Sequence, residues 1–416
     1  MASQTENFAL IRVVGVGGAG SNAVNRMIRA ELLGVEFIAV NTDAQALVKS
    51  HAPTRIRIGD AISRGLGAGG DSAVGERAAH EDLENLRKAL DGSDLVFVTA
   101  GMGGGTGSGA APVVAKVAKD LGALTIGIVT KPFEFEGKRR AAVAHAAAEE
   151  LRKYVDTLIV IPNERLLNVV SRQTSMEDSF RIADDVLRQA VQGVSDVITV
   201  PGIINLDFAD VRSIMKEAGS ALMGIGRASG ENRARAAAEL AILSPLLELD
   251  IQGATGVLVN VAASSTVTLH EVNEAINHIT ERADPEANII FGTSLDETLA
   301  DEVQITVIAT GFAGNARSQS SAAALQRSEY PYGGADDATP RWSSTTESSA
   351  PSVGTSPVGG AAPAAQPSAT PAWTPVTHPA VAQPSGDAVQ GADAGVTPSP
   401  VPSDELEIPA FLRRRS

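Results

Sequence analysis

Two glycine-rich segments stand where a buried strand is expected to give way to a helix. The first is Gly15-Val-Gly-Gly-Ala-Gly-Ser-Asn22 and the second is Gly101-Met-Gly-Gly-Gly-Thr-Gly-Ser-Gly109. Glycine lets the backbone approach a ligand closely, and the start of a helix favours negative charge. Two such segments at the carboxyl ends of strands in one sheet indicate a single ligand with a phosphate chain. A third segment, Gly65-Leu-Gly-Ala-Gly-Gly70, is placed to close over it.

The first segment taken alone is compatible with two further structures. It fits Gly-x-Gly-x-x-Gly with Asp43 after the second strand, as in a dinucleotide-binding Rossmann unit, and it also fits a tight structural turn. The second segment fits neither of them well. Six glycines in nine residues cost chain entropy with no expected packing benefit, whereas consecutive free N–H groups form a concave anion site. The sequence has no Gly-x-x-x-x-Gly-Lys-[Ser/Thr] motif, which excludes a P-loop.

The elements that must position these segments follow from hydrophobic patterning. Near-continuous apolar runs alternate with helical patterns over the first 162 residues, which is typical of a parallel sheet covered on both faces. Apolar residues in 178–199 recur every three or four positions and predict one long helix with a buried face. The predicted strands are 10–16, 36–41, 95–100, 125–130, 158–162, 221–226, 256–262, 287–291 and 304–310. The predicted helices are 21–30, 73–90, 106–121, 138–154, 178–199, 233–243 and 269–281.

Composition divides the chain into five predicted parts. They are a ligand-binding α/β domain, a central helix, a smaller α+β domain, a linker and a terminal peptide, at 1–177, 178–202, 203–312, 313–402 and 403–416. The linker consists mainly of Ala, Ser, Thr, Pro and Gly, a composition that predicts disorder. Apolar residues return in the terminal peptide before three arginines, which indicates a short segment that docks on partners.

The overall composition narrows the class of protein. The 416 residues carry a formal net charge of −15, which disfavours general binding to nucleic acid or to an anionic membrane surface. The absence of cysteine excludes disulfides, thiol catalysis and cysteine-ligated metals. No apolar run approaches the roughly 20 residues that span a bilayer, and the first residues lack the order of a signal peptide. We therefore expect a cytoplasmic protein without direct membrane insertion.

The second glycine segment is similar to the tubulin signature in its bacterial form, and the chain resembles the FtsZ family of tubulin-like cell-division GTPases. The resemblance covers about residues 8–312 and the last dozen. One small departure is Ser108, where the family often has threonine. The other matching segments are 17–22, 41–43, 130–133, 135–138, 161–163, 205–210 and 407–413. The resemblance implies a tubulin-like fold and a GTPase that polymerises head to tail into the cytokinetic ring, beneath the membrane at mid-cell.

The resemblance also implies which residues bind GTP or GDP, with Mg²⁺. They are Gly18, Ala19, Gly20, Ser21, Asn22, Gly105, Thr106, Gly107, Glu136, Arg140, Asn163, Phe180 and Asp184. The first five would line the nucleotide and the next three would cradle its phosphates. Glu136 and Arg140 would face ribose and phosphate, although their spacing alone equally indicates a surface ion pair. The last three would hold the base. The Asp184 carboxylate can accept from two N–H groups on the guanine edge that adenine lacks, which favours GTP over ATP.

An acidic segment, Asn205-x-Asp207-x-x-Asp210, follows the long helix. From the residues alone it predicts an Asx-type turn and a helix cap. The resemblance implies instead that this segment enters the nucleotide pocket of the next subunit. Asp207 and Asp210, with Asn205, would then position and polarise the water that attacks the γ-phosphate. No direct metal ligand is predicted, because none of the six histidines forms a convincing pair.

The end of the chain separates the remaining hypotheses. Its resemblance to the family's terminal peptide implies that Ile408, Phe411, Leu412 and Arg413 bind division proteins and membrane anchors. The alternatives are an NAD-dependent enzyme, a scaffold with a relic nucleotide site and a tubulin-like plasmid-segregation protein. The second glycine segment argues against the first, the two aspartates against the second and the terminal peptide against the third.

Overall fold

The structure is a computed structural model that describes residues 9–167, 173–200, 202–244 and 251–312. The predicted linker and terminal peptide lie outside these residues. The strands are β1 (Ile11–Val16), β2 (Val35–Asn41), β3 (Thr54–Arg57), β4 (Leu95–Gly101), β5 (Leu124–Lys131), β6 (Thr157–Pro162), β7 (Gly219–Ser229), β8 (Gly256–Ala263), β9 (Asn288–Leu295) and β10 (Glu302–Thr310). The helices are α1 (Gly17–Arg29), α2 (Ala44–Val48), α3 (Asp60–Ser63), α4 (Ser72–Glu81), α5 (Leu83–Leu90), α6 (Thr106–Asp120), α7 (Lys138–Arg152), α8 (Asn163–Leu166), α9 (Met176–Thr199), α10 (Phe208–Met215), α11 (Arg233–Ile242) and α12 (Leu269–Thr280).

The strands form a ten-stranded sheet of order β3-β2-β1-β4-β5-β6-β7-β10-β8-β9. Neighbouring strands from β3 to β7 run parallel, which confirms the predicted parallel sheet. β10 is antiparallel to both β7 and β8, and β9 is parallel to β8. The link between the two halves is short, since β6 pairs with β7 only from Thr157 opposite Gly219 to Ile159 opposite Ala221.

The central strands are apolar along their whole length because helices cover both faces of the sheet. β4 is buried at every position except its last residue. Helix α9 packs one face into the core through Ala183, Leu187, Ala190 and Val194, which confirms the periodicity that predicted it. Within the described ranges, no helix has the length and apolarity needed to cross a membrane.

Three local features differ from the sequence predictions. The single helix predicted over 73–90 is two helices, α4 and α5, separated at Asp82. The Asp82 carboxylate accepts from the Gly59 N–H at 2.8 Å and from the Asn85 side chain at 2.9 Å, so it holds the preceding segment at the break. Strand β3, a mostly exposed edge strand, and the short helices α2, α3 and α8 were not predicted.

Candidate functional site

The two glycine segments meet at one edge of the sheet. β1 and β4 are parallel neighbours with Val16 opposite Ala100, so the helices that follow them begin side by side. Among the described residues, no side chain caps the first turn of α1 or of α6, so their N–H groups stay available to a ligand. The hydroxyl oxygens of Thr42 and Thr106 lie 2.7 Å apart and tie the end of β2 to the start of α6. Adjacent uncapped helix starts form an anion site.

The first glycine segment lies mostly inside α1 rather than in the expected loop, because the helix begins at Gly17. Ser21 is 3% exposed, and its hydroxyl oxygen has no hydrogen-bond partner among the residues described. A side chain at Gly18 would project into open space, with no described atom within 4 Å of its Cβ. An open helix start beside an unsatisfied buried hydroxyl is suited to a polar ligand.

The second glycine segment does have a packing role, so the expectation of no packing benefit is wrong. A Cβ on Gly105 would lie 2.8 Å from the Ala68 Cβ, and one on Gly107 would lie 2.8 Å from the Gly101 carbonyl oxygen. These contacts are too close for a side chain. At Gly104, by contrast, a Cβ would meet no described atom within 4 Å. Gly104 and Gly18 therefore face the open space, whereas Gly105 and Gly107 allow the loops to pack together.

Ser108 secures the bend of the second segment. Its hydroxyl accepts from the Gly103 N–H at 2.8 Å, and Gly103 has the positive φ of +96° that this bend requires. A hydroxyl is all that the contact needs, so serine replaces the family's threonine without loss of this bond. A Cβ at Gly103 would lie 2.7 Å from Cγ of Arg140, which shows that the Arg140 stem packs on the segment.

The base-binding candidates gather around the starts of α8 and α9. Asn163 is 5% exposed, and its Oδ1 has no hydrogen-bond partner among the described residues. Burial raises the pKa of Asp184 to about 6, although the Arg26 guanidinium beside it opposes the shift. Arg26 Nε lies 3.3 Å from Asp184 Oδ2. The sequence analysis missed Arg26. Its position one helical turn after Asn22 was the available signal, since residues four apart share a helix face.

An aromatic cluster lies beside these groups. Phe180, whose place in the apolar repeat predicts burial, is 36% exposed and meets the buried Phe133 ring edge-on at 5.4 Å. Phe135 stacks on Phe133 at 5.1 Å. Glu136 accepts from the Phe133 N–H at 2.9 Å and also pairs with Arg140 at 3.1 Å. The predicted ion pair is therefore present, and it lies beside the turn that carries Phe133 and Phe135.

The acidic segment lies apart from the nucleotide candidates. Asp207 accepts from the Asp210 N–H at 2.8 Å as the N-cap of α10, which confirms the predicted cap. Asn205 accepts from the Gly202 N–H at 2.6 Å. The 20 residues from Phe180 to Thr199, the end of α9, correspond to about 30 Å at a rise of about 1.5 Å per residue. The structure thus brings the thirteen nucleotide candidates to one end of α9 and the three acidic-segment candidates to the other.

Two further observations concern Asp43 and the side chains that could bind a metal ion. Asp43, the acid that a Rossmann unit would use on ribose, caps α2 by accepting from the Gln45 N–H at 2.8 Å and the Ala46 N–H at 3.2 Å. In the part of the chain that the structure describes, no group of three or more His, Asp or Glu side chains is placed to hold a metal ion.

Comparisons with known proteins identify the family and the fold. Residues 10–171 match the GTPase domain of the tubulin/FtsZ family, and residues 219–313 match the C-terminal domain of the FtsZ family. An empty FtsZ dimer from M. jannaschii is 45% identical over 74% of this chain and 90% of that chain, with a TM-score of 0.72. A GDP-bound CetZ1 monomer from Haloferax volcanii is 22% identical over 76% of this chain and 99% of that chain, with a TM-score of 0.65. At that identity, the second structure shows the fold alone.

Proposed function

Because the chain belongs to the tubulin/FtsZ family of GTPases, we propose that it hydrolyses GTP at a site that two subunits complete when they associate head to tail. Membership of this family identifies the chain as a self-assembling cell-division GTPase. We infer that two subunits contribute different residues to each hydrolysis site. One subunit supplies the nucleotide pocket and the next supplies the acidic segment 205–210.

The nucleotide pocket is supported by its unsatisfied polar groups. The uncapped starts of α1 and α6 provide N–H donors for the phosphates, next to the open space at Gly18 and Gly104. Ser21 and Asn163 each hold a buried oxygen without a partner in the described residues. Buried polar atoms are normally hydrogen-bonded, so these two are suited to ligand donors. GTP or GDP with its phosphate chain over the two glycine segments satisfies both requirements.

Guanine selection is assigned to Asp184. As a carboxylate it presents two acceptor oxygens, which match the ring N–H and the exocyclic NH₂ of guanine. Adenine offers no such pair of donors on that edge. Burial makes the carboxylate charge costly, and Arg26 offsets only part of that cost, so the loss of these donors would be penalised strongly. Phe180 is exposed enough to lie against the base, and Asn163 adds its buried oxygen.

The separation along α9 is the observation that carries the shared-site proposal. About 30 Å of helix lies between Phe180 and the acidic segment, so the segment cannot reach the nucleotide of its own subunit. Asn205 and Asp207 are exposed at the opposite end of the molecule. A head-to-tail contact brings unlike ends together and repeats along a filament. Such a contact would place these carboxylates against the next subunit's phosphates.

The chemistry then requires little from the protein beyond positioning. Asp207 and Asp210 would accept hydrogen bonds from the attacking water and orient it in line with the bond to the leaving diphosphate. The N–H groups of the glycine segments would stabilise the charge on the phosphates. Mg²⁺ usually binds through substrate phosphates, several waters and one or two carboxylates, so the phosphates of the nucleotide would hold it here. The ion would neutralise charge on the transferring phosphate.

Mixing two defective variants tests the shared site. Gly104→Val should block the phosphate pocket and Asp210→Ala should remove the acid, so each variant alone should hydrolyse GTP slowly. In an equimolar copolymer, about a quarter of random junctions would join an intact pocket to an intact acidic segment, so activity should return. The control replaces the first partner by the Gly104→Val/Asp210→Ala double variant, which cannot restore any junction. Copolymers that sediment normally yet show no recovery would contradict the proposal.

The remaining assignments concern partners and location. We propose a cytoplasmic polymer at the mid-cell division site, recruited through Ile408, Phe411, Leu412 and Arg413 of the terminal peptide. Three apolar side chains supply anchors and the arginines favour acidic partner surfaces. Support comes from the composition and the family alone, because the peptide lies outside the described residues.

A further inference from the structure

We propose that Thr293 is a positioning residue for GTP hydrolysis, because it sets the register of the segment that presents Asn205 and Asp207 to the next subunit. Thr293 lies on β9, far along the chain from the acidic residues, and it is 5% exposed. The inference rests on the proposed function of the acidic segment.

Two hydrogen bonds join Thr293 to Ile204. The Ile204 N–H donates to the Thr293 hydroxyl at 2.8 Å, and the Thr293 N–H donates to the Ile204 carbonyl at 2.9 Å. β9 is the last strand in the sheet order and pairs with β8 on one side. On the other side of β9, the Ile204 carbonyl accepts the hydrogen bond from the Thr293 N–H. Both backbone groups of Ile204 are thus held by one residue, which fixes its position along the strand.

The neighbouring residues show that this position matters. From 203 to 209 exposure alternates, with odd-numbered residues exposed and even-numbered ones half-buried. Leu206 and Phe208 pack against the core, whereas Asn205 and Asp207 point outward. The Asp207 backbone is extended, with Leu206 and Phe208 turned to the core on either side of it, so a shift along β9 would displace the outward side chains. The two hydrogen bonds at Ile204 therefore hold Asn205 and Asp207 in the outward position from which they would face the next subunit.

Gly202 supports the same arrangement from the other side. A Cβ at Gly202 would collide with the Thr293 carbonyl oxygen, so the chain passes directly against Thr293 on its way out of α9. Gly292 allows a similar approach, since a Cβ there would lie 3.3 Å from Cγ of Leu206. Contacts on both sides of Ile204 thus hold the segment to β9.

The central test is Thr293→Val, which keeps the shape and the backbone bond but removes the hydroxyl acceptor. Turnover in assembled filaments should fall roughly 10-fold to 100-fold, because small displacements of catalytic groups have effects of that size. GTP affinity of the unassembled subunit should not change, because the nucleotide pocket is at the opposite end of α9. Thr293→Ser, which restores the acceptor, should recover most of the turnover. Thr293→Ala serves as a second hydroxyl-free variant if valine destabilises the fold.

The matched control is Ser294→Ala. Ser294 is the next residue on β9, and its hydroxyl bonds to Asn260 at 3.2 Å instead of to the segment. It should lower thermal stability without the loss in turnover. Wild-type turnover in Thr293→Val, no rescue by Thr293→Ser, or an equal loss in Ser294→Ala would each overturn the inference. Asp210→Ala, measured in parallel, separates failure of the Thr293 inference from failure of the proposed function. If Asp210→Ala also hydrolyses GTP at the wild-type rate, the acidic segment itself has no catalytic role.

Discussion

Asp184 on α9 and Arg26 on α1 form an ion pair at 3.3 Å, 158 positions apart in the chain. The pair joins the helix that carries most of the first glycine segment to the helix that carries Phe180 and Asp184. The Arg26 charge offsets part of the burial cost that raises the pKa of Asp184 to about 6. The carboxylate is therefore ionised at neutral pH but close to titration.

This pKa predicts a pH dependence of guanine binding. Above pH 6 the carboxylate offers two acceptors, whereas below pH 6 its protonated form keeps a donor where guanine needs an acceptor. Guanine-nucleotide affinity should therefore fall as pH decreases from 7 to 5. Calorimetry on wild type and on Asp184→Asn checks this, because the phosphates titrate equally in both proteins and their difference isolates Asp184. A pH-independent difference would contradict the assignment.

The same variant gives a specificity readout. Asparagine presents one acceptor and one donor, which matches the ring N–H and the C2 carbonyl of xanthine. Asp184→Asn should therefore lose affinity for GTP and gain affinity for xanthosine triphosphate. An equal loss for both nucleotides would indicate that Asp184 only supports the fold.

The glycines of the second segment should separate into two classes. Gly104→Ala adds a methyl group in open space and should weaken GTP binding while the melting temperature stays unchanged. Gly105→Ala places its Cβ 2.8 Å from Ala68 and should destabilise the fold by about 1–3 kcal/mol. Thermal unfolding without nucleotide and GTP titration of each variant provide the comparison. The opposite assignment of effects would show that the loop changes shape when it binds.

A second pH effect is predicted at Asp196 on α9. It lines a cavity of about 70 Å³ with the charged residues Asp185, Arg188, Arg227 and Asp296. Burial is the main cause that raises its pKa to about 7, and the Asp296 charge adds to it against Gln192 and Arg188. Between the unfolded pKa of 3.8 and about 7, the folded protein holds a proton that the unfolded chain lacks. Its contribution to stability is therefore present below pH 4 and is lost as pH rises to 7.

Asp196→Asn tests that sign, because the amide resembles the protonated acid and does not titrate. The variant should be more stable than wild type at pH 8, on the order of 1–3 kcal/mol, and the gain should vanish as pH falls below 4. Urea unfolding at pH 8 and below pH 4 measures the difference. Asp185→Asn is the matched control, because the Asp185 carboxylate pairs with Arg188 at 2.6 Å and should lose stability instead. A gain for Asp196→Asn that is the same at both pH values would contradict the titration.

Deletion of residues 404–416 should leave GTP-dependent filaments intact and abolish recruitment to the division site. The intervening residues would set only reach, which for about 90 flexible residues is roughly 50 Å. Sedimentation measures assembly and a fluorescent fusion reports recruitment. A scrambled linker of equal length and composition serves as the control and should behave as wild type. Normal recruitment of the truncated chain would contradict the role given to the peptide.

The sequence by itself determined the features that local patterns encode. Strand–helix alternation, the long helix α9 and the Asp207 cap follow from periodicity and from residue types within a few positions. The glycine segments predicted a phosphate site for the same reason. The break between α4 and α5 at Asp82 was missed because it involves a bond to Gly59, 23 positions earlier.

Only the tertiary structure decided which residues work together across the chain. It separated the glycines that face open space from those that pack against Ala68 or Gly101. The sequence cannot distinguish these two groups, because both consist of glycines in the same kind of segment. It also paired Arg26 with Asp184 and joined Thr293 to Ile204, 89 positions apart. Contacts of this kind leave no periodic trace, because they depend on the order of strands in the sheet and on how α9 crosses it. The physical reason is that a hydrogen bond or a close approach is set by distance in space, whereas sequence patterns record only neighbours along the chain.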